Sequence, residues 1–351
     1  MTKKTLIVVH GMGQHTEDSV RAEVVGACER AFALYASLQG KRPEDQFDIL
    51  PVEYNSFFDD YRAALADRSD DVIQALSAIS GSAPPPARLV RGIAGLESRV
   101  KDDDFFATHW LDVLLYRYSL FAEPIRLKVA EAIGKAVRDA GATNVHVLGH
   151  SLGTAVVHDT LAKAYGPEPL EQGGRSLKLS NRRDRLGGVH MVANVSRVLE
   201  SFRSVDASEV RPGIGCCSVF AEYRHRLDPF TKVRPFDPTD NEAWIPHAVW
   251  RSAYRLVEPT SVTDVNVHGL GHYLRNPLVH LPLFRLLFGF RPGAQERDAG
   301  SDAYLAGTVR AKADALTAAV ENLDFSERSV RELLAAGKDF KDLVTSFEET
   351  F

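Results

Sequence analysis

Gly149-His150-Ser151-Leu152-Gly153 lies between an apolar run, Asn144-Val145-His146-Val147-Leu148, and a helix-like run that takes in Ala155, Val156, Val157 and Leu161. That setting reads as strand, sharp turn, helix. A Gly-x-Ser-x-Gly turn between a strand and a helix lifts the serine hydroxyl to the tip of a strained bend. The flanking glycines belong there because the turn brings the two backbones too close for side chains. The stretch therefore predicts an α/β chain with Ser151 presented at the end of a strand.

Working outward, Thr5-Leu6-Ile7-Val8-Val9 is the continuous, largely β-branched run expected of a strand buried on both faces of a parallel sheet. It ends in the glycine turn His10-Gly11-Met12-Gly13-Gln14. Thr16 then offers an N-cap, with Glu17 and Asp18 in the first turn of a helix carrying Val20, Val24, Cys28, Phe32 and Tyr35 on one side. Further strands are predicted at residues 47–54, 189–194 and 218–223, and a last one at Val262-Thr263-Asp264-Val265-Asn266-Val267. With the two strands already named, these make a mostly parallel sheet of about six strands flanked by helices. Between the second strand and the serine unit the spacing turns helical, at Phe58, Tyr61 and Leu65 and again at Val72, Leu76 and Ile79. Residues from 57 to about 122 thus read as a helical insertion, serving either as a lid or as a layer on the sheet edge. Ile125, Val129, Ile133 and Val137 predict an amphipathic helix ended by Gly141. Residues 171–188 read as a polar, locally basic, solvated loop, and 278–290 as a helix. The expected organisation is one domain over 1–291 and a helical extension over 292–351.

Composition narrows the partners. The chain has 351 residues, 44% apolar and 25% charged, with a formal net charge of -5, so it is globular and lacks the basic footprint of a nucleic-acid binder. Nucleic acid is not expected as a partner. Cys28, Cys216 and Cys217 form neither a disulfide framework nor a metal-ligand pattern. No apolar run approaches the roughly 18 residues of a membrane span, and the start lacks the apolar core of a signal peptide. These features predict a cytoplasmic protein with no metal or other cofactor.

In an open parallel sheet, sites form at the carboxyl ends of the strands. Four features are expected there: the His10-Gly11-Met12 turn, Ser151, Asp228 and His268. A serine hydroxyl is a weak nucleophile near neutral pH. It needs a histidine to take its proton and a carboxylate to hold the imidazole. Backbone N–H donors for the resulting oxyanion are expected from Leu152 and Met12. Asp228 competes with Asp206 and Asp237 for the acid role, and is preferred because it follows the second strand after the serine strand. His268 competes with His272, and is preferred as the residue leaving the last strand directly. His10 is expected to shape the oxyanion turn, and His150 and His225 to serve in packing or hydrogen bonding.

On His10-Gly11, Gly149-His150-Ser151-Leu152-Gly153, Asp228-Pro229 and the late histidine, in the order serine, acid, histidine, the chain resembles the α/β-hydrolase family in its lipase and esterase branch. The resemblance covers roughly residues 5–290. It implies a serine hydrolase that cleaves a small acyl ester through an acyl-enzyme on Ser151. The chain departs from the family pattern at its start, where two opening antiparallel strands are missing. Two other functions fit the same fold class. One is a non-catalytic scaffold that binds a protein partner. The other is a membrane-surface lipase using Phe284, Leu286, Leu287, Phe288 and Phe290 with Arg285 and Arg291, although these residues read first as a core helix. Acyl length, alcohol group and oligomeric state are not encoded in any motif.

Overall fold

The computed structural model describes residues 3–11, 15–54, 56–57, 122–199, 205–232, 234–238, 243–264 and 266–307. Eight strands are described: Lys4–Val9 (β1), Phe47–Val52 (β2), Val145–His150 (β3), Leu170–Gln172 (β4), Arg175–Leu177 (β5), Leu186–Val192 (β6), Cys217–Tyr223 (β7) and Tyr254–Val257 (β8). Six form one sheet in the order β2-β1-β3-β6-β7-β8, and every neighbouring pair is parallel. The main helices are Glu17–Phe32 (α1), Ala122–Ala140 (α2), Leu152–Ala164 (α3), Leu270–Arg275 (α4), Pro277–Phe288 (α5) and Ala294–Ala306 (α6).

The central strands are apolar on alternate faces, and this explains the two helical layers. Ile7 and Val9 of β1 join Val145 and Val147 of β3 in a core with α2 and α3. Leu6, Val8 and Leu148 point the other way, into a second core with α1, α4 and α5. A strand buried on both sides must be apolar throughout, as the run from Leu6 to Val9 is. Thr16 caps α1 reciprocally with Ser19, and α2 stops at Gly141, whose φ of 84° is a left-handed conformation.

Two expectations are corrected. The described residues of the stretch expected as the last strand, 262–264 and 266–267, lie outside any strand. Asn266 N–H donates to Asp264 Oδ1 at 3.2 Å and Gly269 N–H to the Asn266 carbonyl at 3.1 Å. Such local bonds compete with a strand ladder. Val262 and Val267 are nevertheless buried, so their apolar character reflects the core rather than strand pairing. The sixth strand is β8, a short and partly exposed edge. The region 171–188 is largely exposed, as expected, but it is a loop only in part. β4 and β5 pair antiparallel across Gly173 and Gly174, both at positive φ, and β6 already begins at Leu186. Two of its basic residues, both exposed, form ion pairs, Arg175 with Glu131 and Arg183 with Asp184.

Phe284 and Leu287 of α5 are buried, and Phe288 and Phe290 pack against the same core. The helix is thus a support for the sheet. No helix among the described residues is long and apolar enough to cross a membrane. The expected insertion lies outside the described residues except at its two ends. The extension from 292 is described as far as 307 and contains α6.

Candidate active site

β3 ends at His150, and Ser151 follows with φ 54° and ψ -127°, a conformation that non-glycine residues rarely adopt. The surroundings hold it there. Ser151 N–H donates to the Val192 carbonyl at 3.1 Å. Its own carbonyl accepts from the Thr154 N–H at 2.9 Å and from Thr154 Oγ1 at 2.6 Å, while Thr154 Oγ1 accepts from Val195 N–H. The glycines of the motif are forced by packing. A Cβ on Gly153 would lie 2.0 Å from the Val9 carbonyl oxygen, and one on Gly149 would lie 2.8 Å from the Gly153 oxygen. Gly11 is equally constrained, because a Cβ there would come within 2.7 Å of Ser151 Cβ. The turn after β1 therefore lies directly against the serine.

His268 reaches this serine from the other side. Its Nε2 is 2.9 Å from Ser151 Oγ, and its Nδ1 is 2.9 Å from Asp228 Oδ2. A carboxylate only accepts, so Nδ1 carries the ring proton and Nε2 is left to accept from the serine hydroxyl. Asp228 is fully buried, and its other oxygen accepts from Phe230 N–H at 3.1 Å. The Phe230 ring lies 4.3 Å from the His268 ring. The structure thus brings together Ser151, Asp228 and His268. Asp206 lies instead in the short helix Val205–Ala207, and Asp237 is grouped electrostatically with Arg224 and Glu222.

His272, the rival base, is placed apart from the serine. It is 2% exposed, and neither ring nitrogen has a hydrogen-bond partner among the described residues. Burial, followed by the charge of His225, pushes its pKa down to about 3. A buried imidazole of that kind is a neutral packing group.

No protein-family model matches this chain. A search of curated proteins finds none similar to it. The site must therefore be read from its own chemistry.

Leu152 opens α3, so its N–H has no partner within the helix and is available beside Ser151. Met12, expected as the second donor, lies outside the described residues. The described start of the turn is anchored by Tyr54, whose hydroxyl donates to the His10 carbonyl at 2.7 Å. The His10 ring packs against His15 and His150, and its Nε2 is 3.3 Å from Glu23 Oε2. His150 Nε2–H donates to the His268 carbonyl at 2.7 Å. Burial and then the nearby His10 and His268 charges push its pKa well below the usual imidazole value, so it acts as a neutral strut.

Two residues at the site carry no sequence signal. Glu23 Oε1 accepts from Gly271 N–H at 3.0 Å while Oε2 faces His10, so one side chain joins the glycine turn to the segment after His268. Burial raises the Glu23 pKa, but the hydrogen bond and charge of His10, with the Gly271 N–H, outweigh it and hold the carboxyl below its ordinary range. Tyr273 donates its hydroxyl to Asp228 Oδ2 at 2.8 Å. Neither could be found from spacing, since their partners are 248 and 45 residues away in the chain. No group of three or more metal-ligating side chains occurs among the described residues.

Proposed function

We propose that this protein is a serine hydrolase of α/β-hydrolase type that cleaves a carboxylic ester through an acyl-enzyme on Ser151. The observation that carries the proposal is the continuous hydrogen-bonded chain Ser151 Oγ, His268, Asp228, with both links at 2.9 Å. The strained serine and the Leu152 N–H at the first position of α3 beside it support the same reading.

The chemistry follows from that order. Ser151 Oγ attacks the ester carbonyl as His268 Nε2 takes its proton, and Asp228 holds the ring and offsets its positive charge. The carbonyl oxygen becomes an oxyanion and accepts from Leu152 N–H, with a second donor expected from the glycine turn. His268 then gives the proton to the departing alkoxide, and the alcohol leaves. Water, deprotonated by the same nitrogen, releases the acid and restores the serine.

Ser151→Ala should lower kcat on p-nitrophenyl esters by about a millionfold, because serine and histidine act as a unit. A fluorophosphonate should label the wild-type protein at Ser151 only. Full turnover in Ser151→Ala, or a wild-type protein that is neither labelled nor active on any chain length, would exclude the proposal.

A further inference from the structure

Asp228 Oδ2 accepts two hydrogen bonds, from His268 Nδ1 at 2.9 Å and from the Tyr273 hydroxyl at 2.8 Å. The same tyrosine oxygen lies 2.7 Å from the His225 N–H. A backbone N–H cannot accept, so the tyrosine proton is committed to Asp228 while its oxygen accepts from His225. The side chain is fully buried, and water cannot substitute for it. Burial first and the Asp228 charge second push the phenol well above its ordinary range, which keeps it a donor. The short helix α4 thus begins just after the base and carries, on its own fourth residue, a second donor to the base's partner.

We infer that Tyr273 is a positioning residue for ester cleavage at Ser151, acting through Asp228; this rests on the serine-hydrolase reading. Its first effect is geometric. With Phe230 N–H on one oxygen and Tyr273 on the other, the carboxylate plane cannot turn, so the ring it holds stays aimed at Ser151. Its second effect is electrostatic. A donor on Oδ2 shares the carboxylate's negative charge and so weakens its pull on the His268 ring. The other titratable groups around this pair are His225, His272, Glu222 and His150. Three of them are buried imidazoles whose proton affinity burial lowers, and burial raises that of Glu222. All four are therefore biased toward the uncharged form, which leaves Asp228 as the charge that Tyr273 modulates.

The test compares Tyr273→Phe with site-specific 3-fluorotyrosine at position 273, which keeps the shape and strengthens the donor. Rates are expressed per active site titrated with a fluorophosphonate. Tyr273→Phe should lower kcat/KM about tenfold, mainly through kcat, and move the acid side of its pH profile to higher pH. The fluorinated protein should move that side to lower pH. Opposite shifts are not expected of a residue that only packs. Tyr273→Phe within twofold of wild type with an unmoved acid side would overturn the inference, as would a loss explained wholly by fewer titrated sites. Should Tyr273→Phe not fold, the fluorotyrosine profile decides alone, an unmoved acid side counting against. A wild-type protein that the fluorophosphonate does not label would instead remove the hydrolase reading on which this depends.

Discussion

The serine turn and the His268 segment meet at one hydrogen bond, yet they are held in place by opposite means. Ser151 is positioned mainly by its neighbours in β3, α3 and the adjoining end of β6, with backbone packed so tightly that Gly149 and Gly153 admit no side chain. His268 follows no strand. Its segment is tied by His150 to the serine strand, by Glu23 to α1 and by Tyr273 to Asp228. The first region is rigid because it has no spare space. The second packs on the core through Leu270 and Leu274 but takes its alignment from these three polar brackets. Perturbing the turn should therefore cost stability, whereas perturbing the segment should cost rate.

The largest effect belongs to the turn. Gly153→Ala drives a Cβ into the Val9 carbonyl oxygen, a backbone atom that cannot rotate away, and should destabilise the protein by about 3 kcal/mol. Thermal denaturation measures this; an unchanged midpoint would show that the turn can shift, and the contrast would fail. Next comes His272, which lies beside the segment but makes none of the three brackets, so its effect should fall on stability and not on rate. Its pKa of about 3 when folded lies below the roughly 6.5 of an unfolded histidine, so the unfolded chain binds the extra proton. The associated stability is complete above about pH 6.5 and falls as pH drops toward 3, amounting to about 2 kcal/mol lost near pH 5. His272→Leu should accordingly shift acid unfolding to lower pH and keep the proposed ester cleavage. An acid transition that does not move, or activity lost with His272, would contradict its assignment as a packing group. The smallest effect is expected at Glu23. Glu23→Ala should reduce kcat/KM about tenfold, or about 1.4 kcal/mol, with little change in melting. Glu23→Gln can still accept from Gly271 N–H and should recover part of the rate. Equal losses in the two variants would mean that the Gly271 bond does not matter.

The same division explains what the sequence discloses. The serine turn is legible because its determinants are adjacent: apolar strand, two glycines, helix. β1 is legible because double-sided burial leaves a continuous apolar signature. The segment around His268 is not. The sequence of 262–267 alternates like a strand, but its described residues bend through the bond from Asn266 N–H to Asp264, while β8 is four residues, Arg255 among them, of which only Tyr254 is buried. His268 is thus the histidine that faces Ser151, although the described residues before it form no strand. Tyr273 and Glu23 act across long chain separations, and a single sequence carries no mark of such pairs.

The parallel sheet also sets an order for folding during synthesis. β1 pairs with β3 through Val9 and Gly149, which are 149 - 9 = 140 residues apart. At about 5–20 residues per second the ribosome takes roughly 7–28 s to deliver that partner after β1 has emerged. Until then Leu6, Ile7, Val8 and Val9, fully buried in the finished protein, have only β2 as a sheet neighbour. An amino-terminal fragment ending before β3 would hold the most apolar strand of the protein with one edge open, and it is there that chaperone dependence and aggregation should concentrate.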